Sequence, residues 1–300
     1  MTTTVRARRV VSTLAASLAL ACALAAWLPI DPAGADGPGA TGWRLPCGPP
    51  SPELRAEADA VVVRRGLPRV PVGLPKRLLL VGDSGACSLV PGLYAVGAPL
   101  GMTITDTSMI GCGIAAGEVT SSTEETPAHS EECPAIMRDR IAAAAAATTD
   151  AIVWLSRWER MDQVVDGRVV AFASPEGRDL VLAQMEGIYQ LLRAHTPAPI
   201  FILSEAAPGP GDYQDGARRG VRSEDHRFVR LAALERRFAA LHRGDVTFVD
   251  LAGRVCPTGP PCDALRTFNP RQQDGVHFST EGSVWAARWL IPKLALAPHS

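Results

Sequence analysis

Ser84 stands in Gly82-Asp83-Ser84-Gly85, directly after the apolar run Leu78-Leu79-Leu80-Val81. A serine hydroxyl is a poor nucleophile at neutral pH and needs a base to take its proton. A candidate base lies near the other end of the chain, in Asp274-Gly275-Val276-His277. With a spacing of three, one loop can present both side chains. The Asp274 carboxylate then orients the His277 imidazole and stabilises its protonated form, and the imidazole accepts the proton of Ser84. The other histidines, His129, His195, His226, His242 and His299, lack a comparable partner and read as solvated side chains. Asp83 adjoins the nucleophile but reads as a brace for its loop, which leaves Asp274 as the triad acid. Both motifs are short enough to arise by chance. The competing reading is a loop serine and a surface histidine with no joint chemistry. What adds weight is placement, with serine after the first strand and Asp/His before the last helix.

The elements that must position these residues alternate along the chain. Leu78–Val81, Met102–Asp106, Ala151–Leu155, Ile200–Leu203 and Val246–Asp250 are short apolar runs, as strands covered on both faces require. Helical patterns lie between them. Ser174-Pro175 is a cap followed by proline at the first helical position, and Val181, Met185, Ile188 and Leu192 recur at helical spacing. Ser223 precedes the acids Glu224 and Asp225 and a stripe of Phe228, Leu231, Leu234, Phe238 and Leu241, with Gly244 as the stop. The run Ala142–Ala147 reads as part of a closely packed helix. Ser279 or Thr280 caps a last helix carrying Trp285, Trp289 and Leu290. This alternation predicts an α/β fold, a parallel sheet with helices on both faces. Ser84 then falls at the carboxyl edge of the sheet, where such folds bind ligands, and next to a helix N-terminus that favours negative charge.

Composition narrows the classes. The chain has 300 residues, with 30 Lys plus Arg against 31 Asp plus Glu, so no field favours nucleic acid or an anionic membrane surface. Apolar residues at 47% exclude a wholly disordered chain. Arg6, Arg8 and Arg9 precede the apolar run Val10–Ile30, and Ala33-Gly34-Ala35 follows. That order makes residues 1–35 a secretory signal, with an uncleaved membrane anchor as the alternative. Cys22 in the run lacks the usual upstream leucine of a lipoprotein. Residues 36–75, rich in Pro and Gly, read as a loosely structured lead-in, and residues 76–300 as the domain proper. Cleavage after Ala35 leaves six cysteines, Cys47, Cys87, Cys112, Cys133, Cys256 and Cys262, an even number suited to disulfides outside the cytoplasm. Cys256 and Cys262 flank a turn-rich loop and are the first candidate pair; their spacing does not suit zinc.

With these residues in view, the chain resembles the SGNH/GDSL hydrolase superfamily over about residues 76–295. Val81-Gly82-Asp83-Ser84, Ile110-Gly111-Cys112 and Asp274-Gly275-Val276-His277-Phe278 carry a likeness to the SGNH domains associated with acyltransferase-3 membrane proteins. The resemblance implies a three-layer, flavodoxin-like fold with a five-stranded parallel sheet, a Ser84–His277–Asp274 triad, and no metal or cofactor. It implies removal or transfer of acyl groups, often acetyl groups on carbohydrates. The oxyanion hole it implies includes the N–H groups of Ser84 and of Gly111, with Gly113 as alternative; a glycine there also suits a tight turn alone. The family's Asn after the third strand is missing. Ser156-Arg157-Trp158-Glu159 stands there; Arg157 can donate to the oxyanion and Trp158 can wall the pocket, or either can pack or pair structurally. The loop from Glu205 to Arg222, with Arg218 and Arg219, follows the fourth strand and suits contact with a polar glycan, or plain solvation. Three function classes follow: an exported esterase acting on envelope carbohydrate or other small esters, an O-acyltransferase working with a membrane acyltransferase, and a catalytically silent carbohydrate-binding domain.

Overall fold

The computed structural model describes residues 47–120, 132–209, 225–260, 262 and 268–295. The signal segment 1–35, His129, His299, Arg218, Arg219, Arg222 and the Ser223 cap lie outside the described residues. Helix α1 (Pro52–Arg65) is followed by strand β1 (Arg77–Gly82), helix α2 (Ser84–Gly97), strands β2 (Thr103–Asp106) and β3 (Val119–Thr120), and helix α3 (Cys133–Ala145). Strands β4 (Ala151–Leu155), β5 (Asp162–Val165) and β6 (Arg168–Val170) come next, then helix α4 (Pro175–His195), strand β7 (Ile200–Leu203) and helix α5 (Asp225–Leu241). Strand β8 (Val246–Val249) and helices α6 (Leu251–Val255) and α7 (Thr280–Leu290) complete the order.

Five strands form a parallel sheet in the order β2-β1-β4-β7-β8, as the alternation predicts. Side chains along a strand alternate between faces, and here they feed two cores. Leu78, Leu80, Val153, Leu155, Phe201 and Leu203 pack with Leu89 and Leu93 of α2 and with Val284 and Leu290 of α7. Leu79, Val81, Ile152, Trp154, Ile200 and Ile202 pack with residues of α3, α4 and α5. Because both faces are covered, these strands read as unbroken apolar runs. Ser174 and Ser279 cap α4 and α7 by accepting the N–H groups of Gly177 and Gly282.

Four expectations need correction, and one small sheet was not foreseen. His242 is not a solvated side chain: its Nε2 lies 2.8 Å from Glu186 Oε2 and its ring meets those of Tyr189 and Phe238. The lead-in is not loose throughout: α1 occupies Pro52–Arg65, capped by Ser51, and buries Ala58, Val61 and Val62 in the core shared with α2 and α7. Its apolar positions are too sparse to announce it. Leu241 does not continue the stripe of α5; it is 67% exposed at the helix end, beyond the sheet's reach. The alanine run is mostly surface: α3 ends at Ala145, and within residues 142–147 only Ala145 is buried. Finally, β3, β5 and β6 form a small antiparallel sheet that no apolar run signalled, because the strands are only two to four residues long.

The turn between β1 and α2 is a single residue, Asp83. It closes because Gly82 has no side chain: a Cβ there would lie 2.2 Å from the Leu155 carbonyl oxygen and 2.3 Å from the Ala86 Cβ. Cys47 is bonded to Cys87, one turn beyond Ser84 on α2; Cys112 is bonded to Cys133 and Cys256 to Cys262. Among the described residues no helix is long and apolar enough to cross a membrane.

Candidate active site

Ser84 is the first residue of α2, at the carboxyl edge of the sheet, and is 8% exposed. Asp83 braces it with both carboxylate oxygens. Oδ1 accepts the Gly85 N–H at 2.7 Å, capping the helix, and Oδ2 accepts the backbone N–H of Arg157 at 2.8 Å, tying the ends of β1 and β4 together. Asp83 is fully buried, and these bonds occupy it.

His277 reaches Ser84 from the far end of the chain. Its Nε2 is 2.8 Å from Ser84 Oγ, and its Nδ1 is 2.6 Å from Asp274 Oδ2. An ionised carboxylate only accepts, so Nδ1 carries the proton and Nε2 presents a lone pair to the hydroxyl. Asp274 Oδ1 accepts the N–H groups of Val276 at 2.8 Å and His277 at 2.7 Å. Burial alone would raise the Asp274 carboxyl. The His277 ring and the two backbone donors outweigh it and hold the carboxyl well below its ordinary range.

Arg271 moors this loop. It is 4% exposed and donates from Nη1 to the Ala206 carbonyl at 3.1 Å and from Nη2 to the Ala207 carbonyl at 2.8 Å. Burial pulls its pKa down to about 10, so it stays charged at neutral pH. The Gly209 N–H donates to the Gly275 carbonyl at 2.8 Å, adding a second tie. The loop bearing Asp274 and His277 is thereby fixed to the segment that leaves β7.

On the other side of Ser84 lies the turn after β2. The Met109 N–H donates to the Gly82 carbonyl at 3.0 Å, so this turn sits beside the strand that delivers the serine. Gly111 has φ +76°, a conformation that favours glycine, and among the described residues no acceptor is recorded for its N–H. Beyond it, Ser156 and Glu159 hold the chain. The Ile114 N–H donates to Ser156 Oγ at 3.3 Å, the Ala115 N–H to Glu159 Oε1 at 2.8 Å, and Ser156 Oγ–H to Glu159 Oε2 at 2.6 Å. A Cβ on Gly113 would lie 2.7 Å from the Trp158 Cβ, so that glycine serves a close approach. Trp158 itself packs with Ala116, Val119 and Met161. The Arg157 side chain turns the other way: Nη2 is 3.4 Å from Ser84 Oγ and Nη1 is 3.3 Å from Glu205 Oε1.

No motif in the sequence marks Glu159, Glu205, Glu235 or Arg271 as a site residue. Each is buried, and Glu205, two residues past β7, carried the best signal: a charged residue at the same sheet edge as Ser84. Glu235 on α5 is 2% exposed, with no partner for Oε2 among the described residues. Burial, reinforced by Glu159 and Glu205, pushes its carboxyl well up. A folded-state pKa above the unfolded one means that stability is full below about pH 4 and falls as pH rises towards the folded value. Glu235→Gln should therefore be more stable than the parent at pH 7–8, with the gap closing near pH 4. Urea midpoints at the two pH values measure this, and a constant gap would contradict it.

No curated protein matches the sequence. Solved structures resemble it at low identity. A carbohydrate acetylesterase family member from Sinorhizobium meliloti is 18% identical, with a TM-score of 0.45 over 74% of this chain and 100% of that one. The native aryl esterase of M. smegmatis is 11% identical, with a TM-score of 0.45 over 73% of this chain and 98% of that one. Residues 56–292 match the family model described as the SGNH domain fused to AT3 domains. With that match spanning most of its length, and a five-stranded parallel sheet between two helical layers, the chain belongs to the SGNH domain family.

Proposed function

We propose that this protein is an exported serine esterase that removes acyl groups, acetyl foremost, from envelope carbohydrate esters through an acyl-serine intermediate. The observation that carries the reading is the 2.8 Å contact between His277 Nε2 and Ser84 Oγ, with Asp274 on the opposite ring nitrogen. His277 takes the hydroxyl proton as Ser84 Oγ attacks the ester carbonyl. The carbonyl π pair moves onto oxygen, which the N–H groups of Ser84 and Gly111 and the guanidinium of Arg157 stabilise. Collapse expels the sugar oxygen, and His277 returns the proton to it. Water, activated by the same imidazole, then attacks the acyl-serine and releases the acid. The signal-type N-terminus and the three disulfides support a site of action outside the cytoplasm.

A second reading is O-acyl transfer, with a glycan hydroxyl in place of water and a membrane acyltransferase as donor. The family's fusion to AT3 domains favours it. The test of both is labelling with a serine-directed fluorophosphonate. The parent should be labelled and Ser84→Ala should not; labelling of both, or of neither, counts against the assignment and, in the second case, favours a silent binding domain. An activated acetyl ester supplied with an oligosaccharide then separates the readings, because acetylated sugar appears only if transfer competes with water.

A further inference from the structure

A long, flexible arginine stands beside Ser84, and something must hold it. The backbone of Arg157 is held by Asp83, but its guanidinium is held elsewhere. Arg157 and Glu205 each lie two residues past the end of a central strand, β4 and β7, and those strands pair in parallel. Both side chains therefore emerge at one edge. They meet at 3.3 Å with side-chain exposures of only 14% and 8%. From that anchor, Arg157 Nη2 reaches to 3.4 Å from Ser84 Oγ.

We propose that Glu205 is a positioning residue for the reaction: its carboxylate fixes the Arg157 guanidinium in the orientation that faces Ser84. This rests on the reading of Ser84 as nucleophile and Arg157 as oxyanion donor. The residue after the nucleophile fits the assignment. A Cβ on Gly85 would lie 2.8 Å from Glu205 Oε2 and 3.1 Å from its Cδ, so the space beside Ser84 belongs to the Glu205 carboxylate. Oε2 has no hydrogen-bond partner among the described residues, so Oε1 and its bond to Arg157 are what fix this carboxylate. Arg271 fixes the backbone on the other side, through the carbonyls of Ala206 and Ala207. Burial raises the Glu205 carboxyl and Arg157 offsets only part of that rise, while burial works against the Arg157 charge and Glu205, Asp83 and Asp274 more than restore it.

The experiment is the kinetics of inactivation by a fluorophosphonate, which requires no natural substrate and places negative charge at the oxyanion position. Four proteins are compared: parent, Glu205→Gln, Arg157→Ala and the double variant. In Glu205→Gln the maximal inactivation rate should fall about 10- to 100-fold, as expected for a displaced catalytic group, while the half-saturating concentration changes less than about twofold. In the Arg157→Ala background the same substitution should change nothing further. A parental rate in Glu205→Gln, or an equal loss in both backgrounds, would overturn the positioning role. Glu205→Asp keeps the buried charge and is judged by the same cycle if the Gln variant does not fold. Failure of the parent to react at Ser84 sinks the function reading itself, whereas normal labelling at Ser84 with an unaffected Glu205→Gln sinks only this inference.

Discussion

Ser84→Ala is expected to lower turnover of an activated acetyl ester by on the order of 10⁶, His277→Ala by about the same, and the double variant by no more than either alone. The reason is that, on the proposed mechanism, the two groups act as one device. A hydroxyl without its base has no acceptor for its proton, and a base without its hydroxyl has nothing to activate. The 2.8 Å approach of Nε2 to Oγ is the contact on which that unity depends. Asp274→Asn should cost about 10⁴, because an amide at Oδ2 offers a donor to Nδ1 and reverses the tautomer that the 2.6 Å bond enforces. Steady-state rates of the four variants, with thermal midpoints to show that each is folded, provide the check. Multiplying losses in the double variant, or more than a tenth of the parental rate in Ser84→Ala, would place the chemistry elsewhere.

Arg157→Ala should reduce kcat by about 10²- to 10³-fold with KM changed only a few-fold, the loss expected when one oxyanion donor is removed. The backbone N–H of residue 157 still caps Asp83 in this variant, so the turn at Ser84 keeps its brace. What disappears is a cation 3.4 Å from the nucleophile. Arg157→Lys should recover only part of the rate, because an ammonium cannot contact Glu205 and Ser84 through two separate nitrogens of a planar fork. The alanine variant should also be less stable, since Glu205 loses the cation opposite its buried carboxylate. The kinetic effect is separated from the folding effect by comparing kcat with the denaturation midpoint across the Ala, Lys and parent proteins. A parental kcat in Arg157→Ala would leave the backbone donors of Ser84 and Gly111 as the whole hole.

The strands, the caps at Ser174 and Ser279, and the two motifs at Ser84 and His277 could be read from the chain because each is a local pattern. A strand buried on both faces needs a short apolar run, a cap needs a hydroxyl at one position, and neither depends on distant residues. Helix α1 and the sheet of β3, β5 and β6 could not, since their apolar positions are few and acquire meaning only against surfaces built by α2, α7 or the turn after β4. The tie of Asp83 to the Arg157 N–H and the ion pair of Arg157 with Glu205 across 48 positions were decided by strand order, and the approach of His277 to Ser84 across 193 by that order together with the bonds that moor the His277 loop to the segment after β7. Strand order fixes which ends share an edge of the sheet. A charged residue just past a strand is a solvated loop in one order and a buried partner in another.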